Sequence, residues 1–264
     1  MDDNVFGQFF FNNKPNFLDM KFTVRLTILV LFIFVNTIKS QEIQEIYFLT
    51  KDTIKISASY QLPKSSTTKI PVVILIHQGG STKEEWLVLP LWNKLINNGY
   101  AILAYDIRQH GKSGKDKGDI YNLFNNSKRA PLDVLAAIQF LENDTRIDKS
   151  RIGIIGASIG ANLACVASSS DDYHIKTAVS LSAKTAAVQN LSGQKEPIQL
   201  NNVFYIASKD EQKGLRKQWA EELFSKTKGE RKIEIAKGQK HGSFILRESN
   251  STEKAIVMWI KKTL

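Results

Sequence analysis

Cysteine is almost missing from this sequence. Cys165 is the one thiol among 264 residues, so no intrachain disulfide can form and the fold must rest on its apolar core. No Pro-, Gly- or Ser-rich linker and no internal repeat interrupts residues 41–264, which reads as one domain. Long basic runs are missing too. Lys and Arg number 36 against 26 Asp and Glu, a net charge of +10, yet the basic residues are scattered and not interleaved with aromatics. That pattern argues against a nucleic-acid face and reads as a generic basic surface. Hydrophobic residues make up 42% of the chain, ample for a large core.

The one long uncharged run near the N-terminus, Leu26 to Val35, is about half of the roughly 20 residues a membrane span needs. It follows Met20-Lys-Phe-Thr-Val-Arg25 and precedes the polar exit Asn-Thr-Ile-Lys-Ser-Gln. A basic start, a short apolar core and a small polar exit have the form of a secretory signal peptide over 20–40, with cleavage near Ser40. Residues 1–19 are then an upstream extension expected to be disordered, and 41–264 the mature domain, periplasmic or secreted. It carries 32 basic and 23 acidic residues, a charge of +9. An uncleaved leader acting as an anchor is the alternative. Cys165 stands far from the leader, where it cannot be a lipidated first residue.

Beyond the leader, strand and helix patterns alternate. Glu42–Leu49 and Ile54–Leu62 alternate in polarity around a turn at Lys51-Asp52. Ile70–His77 and Tyr100–Ile107 are continuous apolar runs, as strands buried on both faces require. Arg151–Gly156, Ile175–Leu181, Val203–Ala207 and Arg231–Ile235 complete the strands. Helices are expected at Lys83–Asn98, Pro131–Glu142, Ser158–Ala167, Glu211–Lys226 and Thr252–Lys261. This alternation predicts an α/β fold: a mostly parallel central sheet covered by helices on both faces. Residues 183–200 are too few for a large lid, so the cap should be small or absent.

The stretch Ile152-Gly-Ile-Ile-Gly156-Ala-Ser158-Ile-Gly160 carries the chemistry. A β-branched run ends in G-x-S-x-G and an Ala-rich helix follows, the strand–turn–helix context of a nucleophile elbow. Gly156 and Gly160 must be small so that strand and helix can pass closely, and the serine backbone between them is strained. A plain glycine-rich turn with a bystander serine would share the five residues, so the partners decide.

A serine hydroxyl needs a base and a group to orient that base. Asp210 follows the strand Val203–Ala207 and is the first choice for the orienting acid. Its alternative role is to cap the next helix. Glu211 is the second choice. His241, in Lys237-Gly-Gln-Lys-His-Gly-Ser after the last strand, is the expected general base. His77 ends an early strand, His110 lies in the 108–118 loop and His174 falls at the opposite end of the sheet. A tetrahedral intermediate needs two preorganised donors. The N–H of Ile159 is one, and Gly79, with Gln78 second, is the candidate for the other.

With these pieces in place, residues 42–264 resemble an α/β-hydrolase. The order Ser158, Asp210, His241 is that family's nucleophile–acid–histidine order. Asp106-Ile-Arg108-Gln-His110-Gly-Lys-Ser113 is similar to the family's D-x-R-G-H-G-x-S loop, with Gln109 in place of a glycine. The resemblance implies bracing roles for Asp106 and Arg108. The compact layout is similar to the dienelactone-hydrolase-like branch, which departs here in having serine where dienelactone hydrolases proper use cysteine. It implies a serine esterase. Together with the leader and the scattered basic residues, the expectation is an exported serine hydrolase cleaving small carboxylic esters through an acyl-enzyme, needing no metal or organic cofactor and no nucleic-acid or lasting membrane partner. A peptidase on short peptides, a perhydrolase using the same triad, or a non-catalytic cell-envelope binding protein are the rival readings.

Overall fold

The computed structural model describes residues 42–64 and 69–264; the leader and upstream extension lie outside the described residues. The chain enters through β1 (Gln44–Leu49) and β2 (Lys55–Gln61), which pair antiparallel. β3 (Ile70–Ile76), β4 (Ala101–Tyr105), β5 (Ile147–Ala157), β6 (Thr177–Leu181), β7 (Leu200–Ser208) and β8 (Thr227–Ala236) follow. They form an eight-stranded sheet in the order β1-β2-β4-β3-β5-β6-β7-β8, parallel from β4 onward. Between them run α1 (Glu84–Leu87), α2 (Pro90–Asn97), α3 (Ala130–Asn143), α4 (Ile159–Ala167), α5 (Thr185–Ser192) and α6 (Leu215–Ser225), with α7 (Phe244–Glu248) and α8 (Asn250–Thr263) at the end. This is an α/β-hydrolase fold.

The strand periodicity builds two cores. On β3, Val72, Ile74 and Ile76 face one layer while Val73 and Leu75 face the other. Ile152 and Ile154 of β5, and Val203 and Tyr205 of β7, join the first layer, under α3 and α4. Ile155, Phe204 and Ile206 join the second, with Trp86, Leu91, Leu95, Ile256 and Trp259 from α1, α2 and α8. Because both faces are covered, strands such as β3 can be apolar at nearly every position. Each fully buried aliphatic side chain contributes about 1.5–3 kcal/mol.

Several boundaries differ from the sequence reading. The expected helix 83–98 is two helices, because Pro90 has no N–H to continue a helix and instead opens α2. The expected helix 211–226 begins only at Leu215. Before it stands one tight turn, Glu211–Gly214, in which Gln212 and Lys213 have left-handed φ of 50° and 57°. The short helices α5 and α7 were not legible. Among the described residues, the link from β6 to β7 carries only α5 and supplies no large lid.

The loop after β4 is held by buried charge. Arg108 is fully buried; its Nε and backbone N–H reach Asp133 at 2.8 and 2.9 Å, and its Nη atoms reach Asp52 at 2.6 and 3.0 Å. Asp106 accepts the backbone N–H groups of Lys83 and Lys112 at 2.8 and 2.9 Å. Both residues brace the loop that faces the elbow. Removing one member of a buried pair leaves a bare charge in a dry site. Arg108→Ala should therefore lower the unfolding free energy by about 3–5 kcal/mol in urea titration. Lys262→Ala, which breaks an exposed pair with Glu230, should cost less than about 1 kcal/mol. Equal losses would contradict this account of the loop.

Candidate active site

Ser158 stands where β5 gives way to α4, with φ 54° and ψ −109°. A non-glycine residue rarely adopts that backbone, and it survives only where its surroundings impose it. Here they do: Ser158 N–H donates to Leu181 O of β6 at 2.8 Å, and Ser158 O accepts Asn162 N–H at 3.0 Å. A Cβ on Gly156 would overlap the Gly160 carbonyl, and one on Gly160 would overlap the Ile76 carbonyl of β3. The two glycines thus let α4 cross directly over the ends of β3 and β5.

Ile159 opens α4, so its N–H has no acceptor within the helix. Gly79 lies across from it: a Cβ there would sit 3.9 Å from the Ile159 side chain. Gln78 does not fit the second-donor role, because its N–H already donates to Glu85 Oε1 at 3.1 Å. Gly79 remains the candidate.

The carboxylate that the structure sets against His241 lies one position beyond the expected Asp210. Glu211 Oε1 lies 2.6 Å from His241 Nδ1, whereas the expected Asp210 is exposed and its side chain caps no helix. The cause is the turn after β7. Lys209 N–H and Asp210 N–H bond to Ala236 O and Gly238 O, tying them to the chain leaving β8. The left-handed pair Gln212-Lys213 then folds the chain over, and Glu211 is buried toward His241. Glu211 Oε2 also accepts from Ser182 Oγ at 2.9 Å, and Arg216 Nε lies 3.1 Å from Oε1.

His241 precedes Gly242, whose φ is +55°. A Cβ on Gly242 would meet Ala157 Cβ at 3.3 Å and overlap Gln78 Oε1. The histidine loop is therefore pressed between the residue before Ser158 and the loop carrying Gly79. A carboxylate at Nδ1 fixes the tautomer with its proton there, leaving Nε2 as the acceptor. Of the other histidines, His77 is buried, accepts Ile107 N–H on Nε2 at 2.9 Å and donates from Nδ1 to Gln78 O at 2.8 Å. Burial pulls its pKa down to about 4, so it is a neutral strut. His110 packs on His77 at 5.1 Å between ring centroids. His174 pairs with Glu142, away from the elbow.

Ser158 opens into a cavity of about 830 Å³. Ile120, Tyr121 and Phe124 line one wall, and Lys184 and Arg216 contribute cations; among the described residues no acidic side chain lines it. Cys165 is a buried core residue whose thiol meets Ser180 Oγ at 3.3 Å.

A family model described as the dienelactone hydrolase family matches residues 56–259. The chain belongs to the dienelactone hydrolase family. Among curated proteins it is 30% identical over 111 residues to the uncharacterized protein YcjY of Escherichia coli K12, an alignment covering 41% of this chain and about a third (35%) of that one. Its fold is similar to Pyrococcus furiosus esterase Pf2001, with TM-score 0.64, 22% identity and coverage of 85% and 92% of the two chains. It is also similar to an acetyl xylan esterase from Paenibacillus sp. R4, with TM-score 0.64, 17% identity and coverage of 86% and 85%. As a family member the chain is an α/β-hydrolase, and serine stands at its elbow.

Sequence reasoning missed Glu85. At the start of α1 it reads as a solvated first-turn acid, yet it is buried, accepting the Gln78 N–H beneath Gly79. Burial raises its carboxyl to about 7, against the opposing pull of Ser81, Gln78 N–H, Ser243 and Arg247. The folded chain thus keeps a proton on Glu85 where the unfolded chain has released it, so this group's contribution falls as pH rises from its usual 4.5 through about 7. In denaturant titrations, Glu85→Gln should gain on the wild type across that window, by on the order of 2–3 kcal/mol at its upper end. Parallel stability curves would refute it.

Proposed function

We propose that this family member is a serine esterase acting on small carboxylic esters, with Ser158, His241 and Glu211 as its triad. The carrying observation is a strained elbow serine whose preceding residue, Ala157, packs against the loop of a histidine whose Nδ1 is held by a buried carboxylate at 2.6 Å. A hydroxyl on a left-handed turn is a weak nucleophile until a base takes its proton. In this reading His241 Nε2 takes that proton as Ser158 Oγ attacks the ester carbonyl. Glu211 holds the ring and stabilises the imidazolium. The N–H groups of Ile159 and Gly79 receive the oxyanion. His241 returns the proton to the departing alcohol, and water, activated the same way, releases the acid and frees Ser158.

The cavity supports a small-molecule substrate: it is open, largely apolar along Ile120–Phe124, and large enough for an acyl group and a compact alcohol. The similar fold of two proteins named as esterases is in keeping with this reading. We further propose export by the leader at 20–40. Among the described residues no helix is long and apolar enough to cross a membrane.

The test combines fluorophosphonate labelling with hydrolysis of short-chain aryl esters. Labelling should map to Ser158 and vanish in Ser158→Ala. Glu211→Gln should lower kcat by about 10³–10⁴-fold, while Asp210→Asn should stay within about twofold of wild type, as for a surface position. A folded wild type that labels nowhere would sink the esterase reading. A large loss in Asp210→Asn with little in Glu211→Gln would return the acid to Asp210.

A further inference from the structure

We propose that Arg216 is a positioning residue for this site: by clamping Glu211 it fixes the carboxylate against His241. The inference rests on the triad reading above and adds a fourth member to it.

Three groups converge on the Glu211 carboxylate. His241 Nδ1 and Arg216 Nε both lie at Oε1, at 2.6 and 3.1 Å, and Ser182 Oγ donates to Oε2 at 2.9 Å. Arg216 also holds Ser182: its Nη1 donates to Ser182 O at 2.7 Å. Ser182 in turn has a left-handed φ of 62° and accepts the N–H of Gly242, the residue after the base, at 3.0 Å. One guanidinium therefore faces the acid as an ion pair, without a hydrogen bond from Nε, and holds the histidine loop by a hydrogen bond through Ser182. A planar fork can span a carboxylate and a carbonyl at once, which an ammonium cannot.

The need for a clamp follows from the turn. Glu211 is presented by Gln212 and Lys213 in left-handed conformations, and glutamate has one more rotatable bond than aspartate. Loop geometry alone leaves its carboxylate free to rotate away from Nδ1. Arg216 stands on the first turn of α6, one turn before Trp219, and its guanidinium packs 5.0 Å from the centre of that indole. Lys184 approaches the same ring at 5.6 Å. The aromatic platform fixes the guanidinium, and the guanidinium fixes the acid.

Arg216 also lines the cavity beside Ser158, so the experiment must separate positioning from substrate binding. Arg216→Met, Arg216→Lys and, as a control, Lys240→Gln (an exposed cation next to the base, paired with Glu248) are made in the full chain. Folding is checked by thermal melting. The far-downfield proton resonance of His241 Nδ1–H is assigned with His241→Ala and followed by NMR without substrate, and kcat and KM are measured on an aryl ester. Arg216→Met should lose or broaden the resonance and lower kcat roughly 10- to 100-fold with KM little changed. Arg216→Lys should recover part of both, and Lys240→Gln should alter neither. An intact resonance in folded Arg216→Met overturns the proposal, as does an effect confined to KM, which would make Arg216 a substrate-binding group. Because the resonance is read without turnover, an inactive wild type would count against the esterase reading and leave this test standing.

Discussion

The close crossing of α4 over the ends of β3 and β5 is the constraint on which the site depends. It exists because Gly156 and Gly160 leave no side chain between helix and sheet. The crossing forces Ser158 into its left-handed turn. The same crossing sets the first N–H of α4 beside the loop that leaves β3. Strain at one residue, of order 1–3 kcal/mol, is over-determined by the backbone bonds to Leu181 and from Asn162. The strained serine and the placing of the start of α4 beside the Gly79 loop are thus consequences of one packing event.

The remaining parts are delivered by neighbouring strand ends. β6 ends at Ser182, β7 at the Glu211 turn and β8 at the His241 loop, and hydrogen bonds join all three. Since β5, β6, β7 and β8 are adjacent and parallel, their C-terminal ends lie on one edge of the sheet. Residues 53 and 83 positions after Ser158 therefore come to the same side of the molecule.

Strand–helix order, the elbow and the histidine were legible because each has a local signature: apolar runs, paired glycines, a loop after the last strand. The carboxylate that meets His241 was legible only to within one residue. Asp210 and Glu211 are adjacent carboxylates, and the choice between them is made by Gln212 and Lys213, two ordinary, exposed side chains in left-handed backbone. Nothing in their type announces it. Gln78 failed as a donor for a similar reason. Its N–H is taken by Glu85 seven residues on, a carboxylate whose burial arises from packing on Gln78 and is invisible in an acidic first turn. Arg216 likewise reads as a solvated helix residue until the turn before it places Glu211 alongside.

The charges around Ser158 suit the proposed reaction, which creates negative charge. Among the described residues, the cavity walls carry Lys184 and Arg216 and no carboxylate. The N-terminus of α4 adds the positive end of its dipole. Glu211 is the exception, and its charge is opposed by Arg216 at 3.1 Å and shared with His241 and Ser182. Glu85, under the Gly79 loop, is half-neutralised by its own burial near pH 7. His77, in the same loop, is uncharged because burial holds its pKa near 4. An oxyanion formed beside Ile159 and Gly79 would thus face donors and cations, with Glu211 opposed by Arg216 and Glu85 half-neutralised. In the proposed reaction that asymmetry would favour the tetrahedral intermediate over the neutral ester, the condition for stabilising a transition state rather than a substrate.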